Sequence, residues 1–256
     1  MSTRAPSRKS VARRRCRDDE RRSNVSRIRV LRERAVSKLQ HTVGRVAVRA
    51  SVGRLHRVPM VRLGTTYGGW WTPVGVLEDA PVCLCAGAGE DISFDAALAE
   101  EHACTVITVD PTPRAIEYVA AHQPGGRFTF LPVGIAATSG PQRFYSPRNP
   151  EHVSHSMVNL RGTDSYFEAE CLSPADLLER AGCGEPDLVK LDIEGAEHQV
   201  LPAMFAAGLR PTVLCVEFDQ PVPPSLVWRT SRAVLRAGYR AAMVDLLNVT
   251  FVRTSS

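Results

Sequence analysis

From residue 81 onward, short apolar runs alternate with stretches in which apolar residues return every three or four positions. The runs Val82–Ala86, Cys104–Val109, Phe128–Val133, Asp187–Ile193 and Val213–Phe218 predict strands. Phe94–His102, Pro113–His122, Ser173–Ala181 and Ala196–Ala207 predict helices. Strands separated by helices of about ten residues form βαβ units, which associate into a parallel sheet. Near the end, Ser225–Ala237 predicts a last helix. Tyr239–Val244 and Leu247–Val252 predict an antiparallel pair turning around Asn248 and adding edge strands to the sheet. The expected architecture of residues 81–256 is one α/β sandwich.

Upstream the pattern changes. The first 24 residues alternate Arg, Ser and charge with almost nothing to bury, and read as disordered. Ile28, Leu31, Ala35, Leu39, Val43 and Val46 then recur at spacings of three and four among arginines, predicting a basic amphipathic helix. Its apolar stripe is expected to pack on the body or on a second subunit. The competing reading is a membrane-surface or nucleic-acid arm. No aromatic precedes Tyr67, so a nucleic-acid arm would have phosphate attraction without base stacking. Residues 58–80 form a connector with the segment YGGW at 67–70, suited equally to capping a core edge or walling a ligand pocket.

Charge sharpens this division. Residues 1–57, the arm, hold 18 basic and 4 acidic side chains, a net +14 against +5 for the whole chain, which leaves −9 on residues 58–256. An acidic body is a poor surface for nucleic acid. The seven cysteines include no C-x-x-C pair, and several lie in apolar runs, which points to a reducing, cytoplasmic setting without disulfides or structural zinc. No stretch approaches the roughly 18 uncharged apolar residues of a membrane span.

In open parallel sheets, ligands sit beyond the carboxyl ends of the strands. The first strand runs into Gly87-Ala88-Gly89-Glu90-Asp91, where glycines permit a tight turn and close backbone approach to a ligand. The second strand ends in Asp110, 23 residues beyond Gly87, in position to accept hydrogen bonds from ribose hydroxyls. The third glycine of a dinucleotide site is missing, and Glu90 and Asp91 would repel a pyrophosphate. A nucleoside without phosphates fits better; S-adenosylmethionine is one, with a sulfonium that carboxylates attract. Further on, Asp192, Glu194 and Glu197 place three carboxylates at one strand-to-helix turn, a costly arrangement unless something positive faces them. Asp192 is expected to face the cleft. Glu194 and Glu197 also suit helix capping, and Lys190 suits solvent.

The run VKLDIEGAEHQVL at 189–201 closely resembles the hallmark of the FkbM-type family of S-adenosylmethionine-dependent methyltransferases. YGGW at 67–70, GAGED at 87–91, VDP at 109–111, LPVGIA at 131–136, SHSMVN at 154–159 and CVEFD at 215–219 follow in the family's order, so the resemblance covers about 64–220. It implies a Rossmann-like class I methyltransferase fold: a three-layer sandwich around a mostly parallel seven-stranded sheet with an antiparallel C-terminal edge strand. It also implies S-adenosylmethionine as donor and a hydroxyl on a small molecule or glycan as acceptor. By matching position, Gly87 and Gly89 wrap the methionine portion, Asp110 binds the ribose, and Asp192 lies near the transferred methyl. Tyr67, Gly68, Glu90, Gly134 and Glu194 complete the expected cofactor-binding set.

Asp192, His152, His155 and His198 are the candidate bases, with His155 in the Ser-His-Ser loop preferred. Related methyltransferases of sugars and catechols use a divalent cation, so the resemblance leaves room for magnesium, which no spacing in the sequence requires. One position departs from the pattern: Cys85 stands where methyltransferases of this fold commonly carry an acid, with Glu90 and Glu194 as the carboxylates available to compensate. Two alternatives stay open. One is a nucleic-acid methyltransferase using the basic arm, although no N-P-P-Y-like run follows the fourth strand. The other is a noncatalytic nucleoside-binding or scaffold relative.

Overall fold

The computed structural model describes residues 32, 35–77, 81–100, 102–147, 155–160 and 162–254. The predicted disorder over 1–24, the start of the basic helix and His152 lie outside them. Contacts divide the chain into units 1–42 and 43–256. Helix α1 (35–51) supplies the described structure of the first unit and the opening turns of the second.

In the second unit, β1 (Met60–Leu63) and β2 (Trp70–Pro73) form an antiparallel ribbon. There follow β3 (Val82–Ala86), α2 (Ser93–Glu100), β4 (Thr105–Val109), α3 (Pro113–Ala121) and β5 (Arg127–Leu131). Next come β6 (Gly134–Ile135), β7 (Gly140–Tyr145) and β8 (Tyr166–Leu172), then α4 (Pro174–Ala181), β9 (Leu188–Leu191), α5 (Glu197–Ala206) and β10 (Val213–Glu217). The chain closes with α6 (Pro224–Arg236), β11 (Tyr239–Asp245) and β12 (Asn248–Arg253). The central sheet has seven strands in the order β11-β12-β10-β9-β3-β4-β5, with the five strands from β10 to β5 parallel. The antiparallel strand β12 is not at the edge as expected. It inserts between β10 and β11, so its Val249 and Phe251 are fully buried.

Period-two alternation assigns the two faces of this sheet. Leu84, Ala86, Val189, Leu191, Leu214 and Val216 face α4, α5 and α6 in the largest apolar cluster. Cys83, Cys85, Leu188, Val213 and Cys215 point the other way, against α2, Leu63 and Trp70. Helix α4 shows local encoding clearly. Ser173 caps its first turn by accepting from the Asp176 N–H, Pro174 opens it, and Gly182 closes it at φ 65°.

Two features were not expected. Strands β6, β8 and β7 form a separate three-stranded sheet, whose alternating exposure along Tyr166–Leu172 marks a half-solvated surface. The stripe assigned to the basic helix is also displaced: Val43 and Val46 are exposed, while Ala47, Val48 and Val52 are buried. Small residues explain the choice, because a Cβ on Gly44 would stand 2.6 Å from the Gln220 side chain, and only a face of small residues approaches that closely. Among the described residues, no helix is long and apolar enough to cross a membrane.

Candidate active site

Strand register sets the site in two rows. Thr108, Cys85, Lys190, Cys215 and Thr250 are successive cross-strand partners on the face toward α2. Two residues further along each strand, at the carboxyl edge, the same alternation places Asp110, Gly87, Asp192 and Glu217. The glycine turn, the second-strand acid and the D-x-E-G acid thus share one side of one edge.

Gly87 has φ 90°, and a Cβ there would lie 1.9 Å from the Asp192 carbonyl oxygen. Only glycine permits this approach of the two turns. Gly89, at φ 53°, has nothing within 4 Å of where a Cβ would stand, so its backbone borders open space. Asp110 is buried and clamps the turn: Oδ2 accepts from the N–H groups of Ala88 and Gly89 at 3.0 Å each. Its Oδ1 accepts from the Thr112 N–H at 2.8 Å and the Thr112 hydroxyl at 2.6 Å. Glu90 points elsewhere, in a half-exposed pair with Arg114 at 2.7 Å.

The connector docks on this turn through Asp91, whose Oδ2 accepts from the Thr65 hydroxyl at 2.5 Å and the Gly68 N–H at 3.1 Å. Burial pushes the Asp91 carboxyl up, but its bonds from Ser93, Thr65 and Gly68 outweigh that and hold it below the usual range. A Cβ on Gly68 would collide with Asp91 at 2.6 Å, which accounts for glycine there. The aromatic centre divides its tasks. Trp70 is buried in the core, and the Trp71 indole N–H donates to Asp245 at 3.2 Å. Tyr67 stays exposed, with a phenol raised by partial burial and by the charges of Asp192, Glu194 and Glu217.

Lys190 is 3% exposed, which corrects the expectation that it faces solvent. The row it occupies is covered by α2, so its chain cannot leave the protein. Its Nζ donates to the Gly87 carbonyl at 2.5 Å and lies 3.5 Å from Asp192 Oδ2. Burial would lower its pKa, yet Asp192, Asp95, Cys85 and Glu217 together raise it, so the ammonium is charged. Asp95, on α2, is buried behind it and bonded to the Thr108 hydroxyl. Burial and Asp95 push the Cys85 thiol well up. Beyond Asp192, burial and then the neighbouring carboxylates push Glu217 and Asp219 well above the carboxylate range.

The loop 155–160 packs on the D-x-E-G turn. The Ser156 hydroxyl donates to the Glu194 carbonyl at 2.6 Å, and Val158 and Leu160 close over Gly195 at φ 95°. Glu194 itself has φ 53°. The His155 ring packs edge-on against Phe167, with centroids 5.3 Å apart. His198 is buried, bonded to the Thr230 hydroxyl at 2.7 Å, and held down to about 4 by burial and then by Arg229. Gly134 serves packing, since a Cβ there would meet Cys171 Sγ at 2.5 Å. A cleft of about 570 Å³ runs from Gly195 between the first turns of α5 and α6, with Pro202, Pro221, Val222 and Leu226 among its apolar walls.

The edge therefore gathers Gly87, Gly89, Asp110, Asp192 and Glu194, with Tyr67 and Gly68 beside them, whereas Glu90, Gly134 and the His155 ring are engaged elsewhere. Sequence reasoning assigned Lys190 to solvent and passed over Asp95, although a lysine inside V-K-L and an acid inside F-D-A-A-L are both polar interruptions of apolar runs. Among the described residues, no group of three or more His, Cys, Asp or Glu is placed to hold a metal ion.

The profile of the methyltransferase FkbM domain matches residues 73–240. No curated protein matches the chain. Among solved structures, the fibrillarin/Nop5p complex is similar at 13% identity and TM-score 0.43, over 70% of this chain and 75% of that one. Monomeric WbdD shows 13% identity and TM-score 0.40, over 68% of this chain and 36% of that one. A SAM-dependent methyltransferase from Aquifex aeolicus shows 12% identity and TM-score 0.35, over 70% and 85%.

Proposed function

The chain belongs to the methyltransferase FkbM domain family and is an S-adenosylmethionine-dependent methyltransferase; we propose that it methylates a hydroxyl on a small-molecule or glycan acceptor. The observation that carries this reading is the placement of Asp192 at the carboxyl edge, against the glycine turn and opposite the Glu217 end of β10. Bound there, S-adenosylmethionine supplies an activated methyl group on a positive sulfur. The open space at Gly89 gives the donor room against the turn, and the carboxylates at the edge match its charge. Gly87 and Gly89 border the methionine portion, Tyr67 and Gly68 close over it, and Asp110 holds the turn in shape and contributes at the ribose side.

Transfer is an in-line displacement, so alignment and removal of one proton are the tasks left to the protein. The acceptor oxygen forms the new bond to the methyl carbon while the carbon–sulfur bond breaks with its electron pair going to sulfur. The acceptor proton passes to the carboxylate of Asp192, leaving a methyl ether, S-adenosylhomocysteine and a protonated Asp192. His155, preferred from the sequence, takes second place because its ring packs on Phe167. The cleft at Gly195 supports an acceptor with an apolar portion lying between α5 and α6.

Incubation of the full chain with methyl-labelled S-adenosylmethionine and a panel of hydroxylated small molecules and oligosaccharides tests the proposal. Label should appear as an alkali-stable methyl ether, and Asp192→Asn should slow its formation about 100-fold or more. Label found on nitrogen or on nucleic acid would refute the hydroxyl acceptor.

A further inference from the structure

An ammonium buried in a sheet costs several kcal/mol unless it is paired, and a buried ion pair adds little stability compared with apolar residues of the same volume. Lys190 therefore requires an explanation other than folding. It lies between Cys85 and Cys215, in a row that apolar side chains could fill. Its contacts all belong to the site. Nζ donates to the carbonyl of Gly87 at 2.5 Å and stands 3.5 Å from the carboxylate of Asp192. One cation thus touches the turn that borders the donor and the acid that faces the acceptor.

We propose that Lys190 is a positioning residue for methyl transfer, tying the donor's glycine turn to the Asp192 carboxylate and holding that carboxylate in place beside it. The proposal rests on the reading that Asp192 lies beside the donor's sulfonium. Lys190 stands against many acidic side chains. Asp192 is surrounded by Glu217 and Asp219 at the end of β10, Glu194 in the following loop and Tyr67 from the connector, with Asp95 of α2 and Cys85 of β3 behind the lysine.

Calorimetric titration of the full chain with S-adenosylmethionine and with S-adenosylhomocysteine tests this at neutral pH. The two ligands differ by the methyl group and its positive charge, so the ratio of their affinities reports a carboxylate placed beside the sulfonium. In the wild type the ratio should favour S-adenosylmethionine, and Asp192→Asn should reduce that preference about tenfold. In Lys190→Met both ligands should bind about tenfold more weakly, since the Gly87 carbonyl loses its tie, and the ratio should change far more in the wild-type background than in Asp192→Asn. If Lys190→Met fails to fold, Asp95→Asn/Lys190→Met serves, because it removes the buried acid behind the lysine together with the lysine. Wild-type affinities in a folded variant, or an equal change of ratio in both backgrounds, would overturn the proposal. A ratio that Asp192→Asn leaves unchanged would instead refute the placement of Asp192, and the role of Lys190 with it.

Discussion

Gly87→Ala and Gly89→Ala look alike in sequence and should behave very differently. Both positions have positive φ, 90° and 53°, so alanine costs each about 1–2 kcal/mol in backbone strain. At Gly87 the added Cβ would stand 1.9 Å from the Asp192 carbonyl oxygen, whereas at Gly89 it meets nothing within 4 Å. Relieving the first contact requires separating β3 from the turn after β9 by more than 1 Å, roughly. Overpacking of that kind costs about 1–3 kcal/mol, bringing the Gly87→Ala total to about 2–5 kcal/mol. For a domain of this size each kcal/mol moves Tm by about 2–4 °C, so losses of about 4–20 °C are expected for Gly87→Ala and about 2–8 °C for Gly89→Ala. Binding should follow the reverse order of subtlety. Gly89→Ala places a methyl group in the space proposed for the donor, so it should weaken S-adenosylmethionine at least tenfold while remaining folded. Thermal unfolding and calorimetry on the two purified variants read both quantities. Equal Tm losses, or undiminished donor affinity in Gly89→Ala, would refute the distinction.

Asp110→Asn replaces a carboxylate that accepts four hydrogen bonds with a group whose amide nitrogen must face donors. The loss should be about 2–3 kcal/mol in urea unfolding without any ligand; a variant as stable as the wild type but defective in donor binding would show that the ribose role alone accounts for Asp110. Glu197 is fully buried, and burial pushes its carboxyl up to about 8, so its contribution to stability is present below its ordinary value near 4.5 and is lost as pH rises through about 8. Glu197→Gln should therefore flatten the fall in urea midpoint between about pH 4.5 and 8, and an unchanged slope would contradict that assignment. His198 acts with the opposite sign: held down to about 4, it lowers stability as pH falls from about 6.5 toward that value, and His198→Gln should remove this acid-side loss.

Strands β3, β4 and β10 were legible because each is almost wholly buried and reads as a largely apolar run. Leu188–Leu191 and Val213–Glu217 fall inside the stretches that hydrophobicity alone picked out. The sheet of β6, β7 and β8 escaped because Gly140–Tyr145 and Tyr166–Leu172 alternate, with one face solvated, and mix charged residues into the run. The inserted position of β12 depends on which neighbour the last hairpin meets, a matter of tertiary packing that no local pattern carries. At the carboxyl edge, the positions of Gly87, Asp110 and Asp192 at strand ends were legible in the sequence. Asp110 had a second task invisible in sequence, since its clamp on Ala88 and Gly89 depends on β3 and β4 being neighbours in register. Lys190 was misplaced for the same reason: V-K-L reads as a half-exposed strand until α2 covers the outer face and brings Asp95 behind it.

The central claim is that the edge formed by the glycine turn and Asp192 binds S-adenosylmethionine. Calorimetric titration of the full chain with S-adenosylmethionine, S-adenosylhomocysteine and NAD measures it directly. One-to-one binding of the first two, with no heat from NAD and binding weakened at least tenfold in Gly89→Ala, is the predicted result. Binding of NAD, or no binding of either adenosyl ligand to the folded wild type, would contradict the claim.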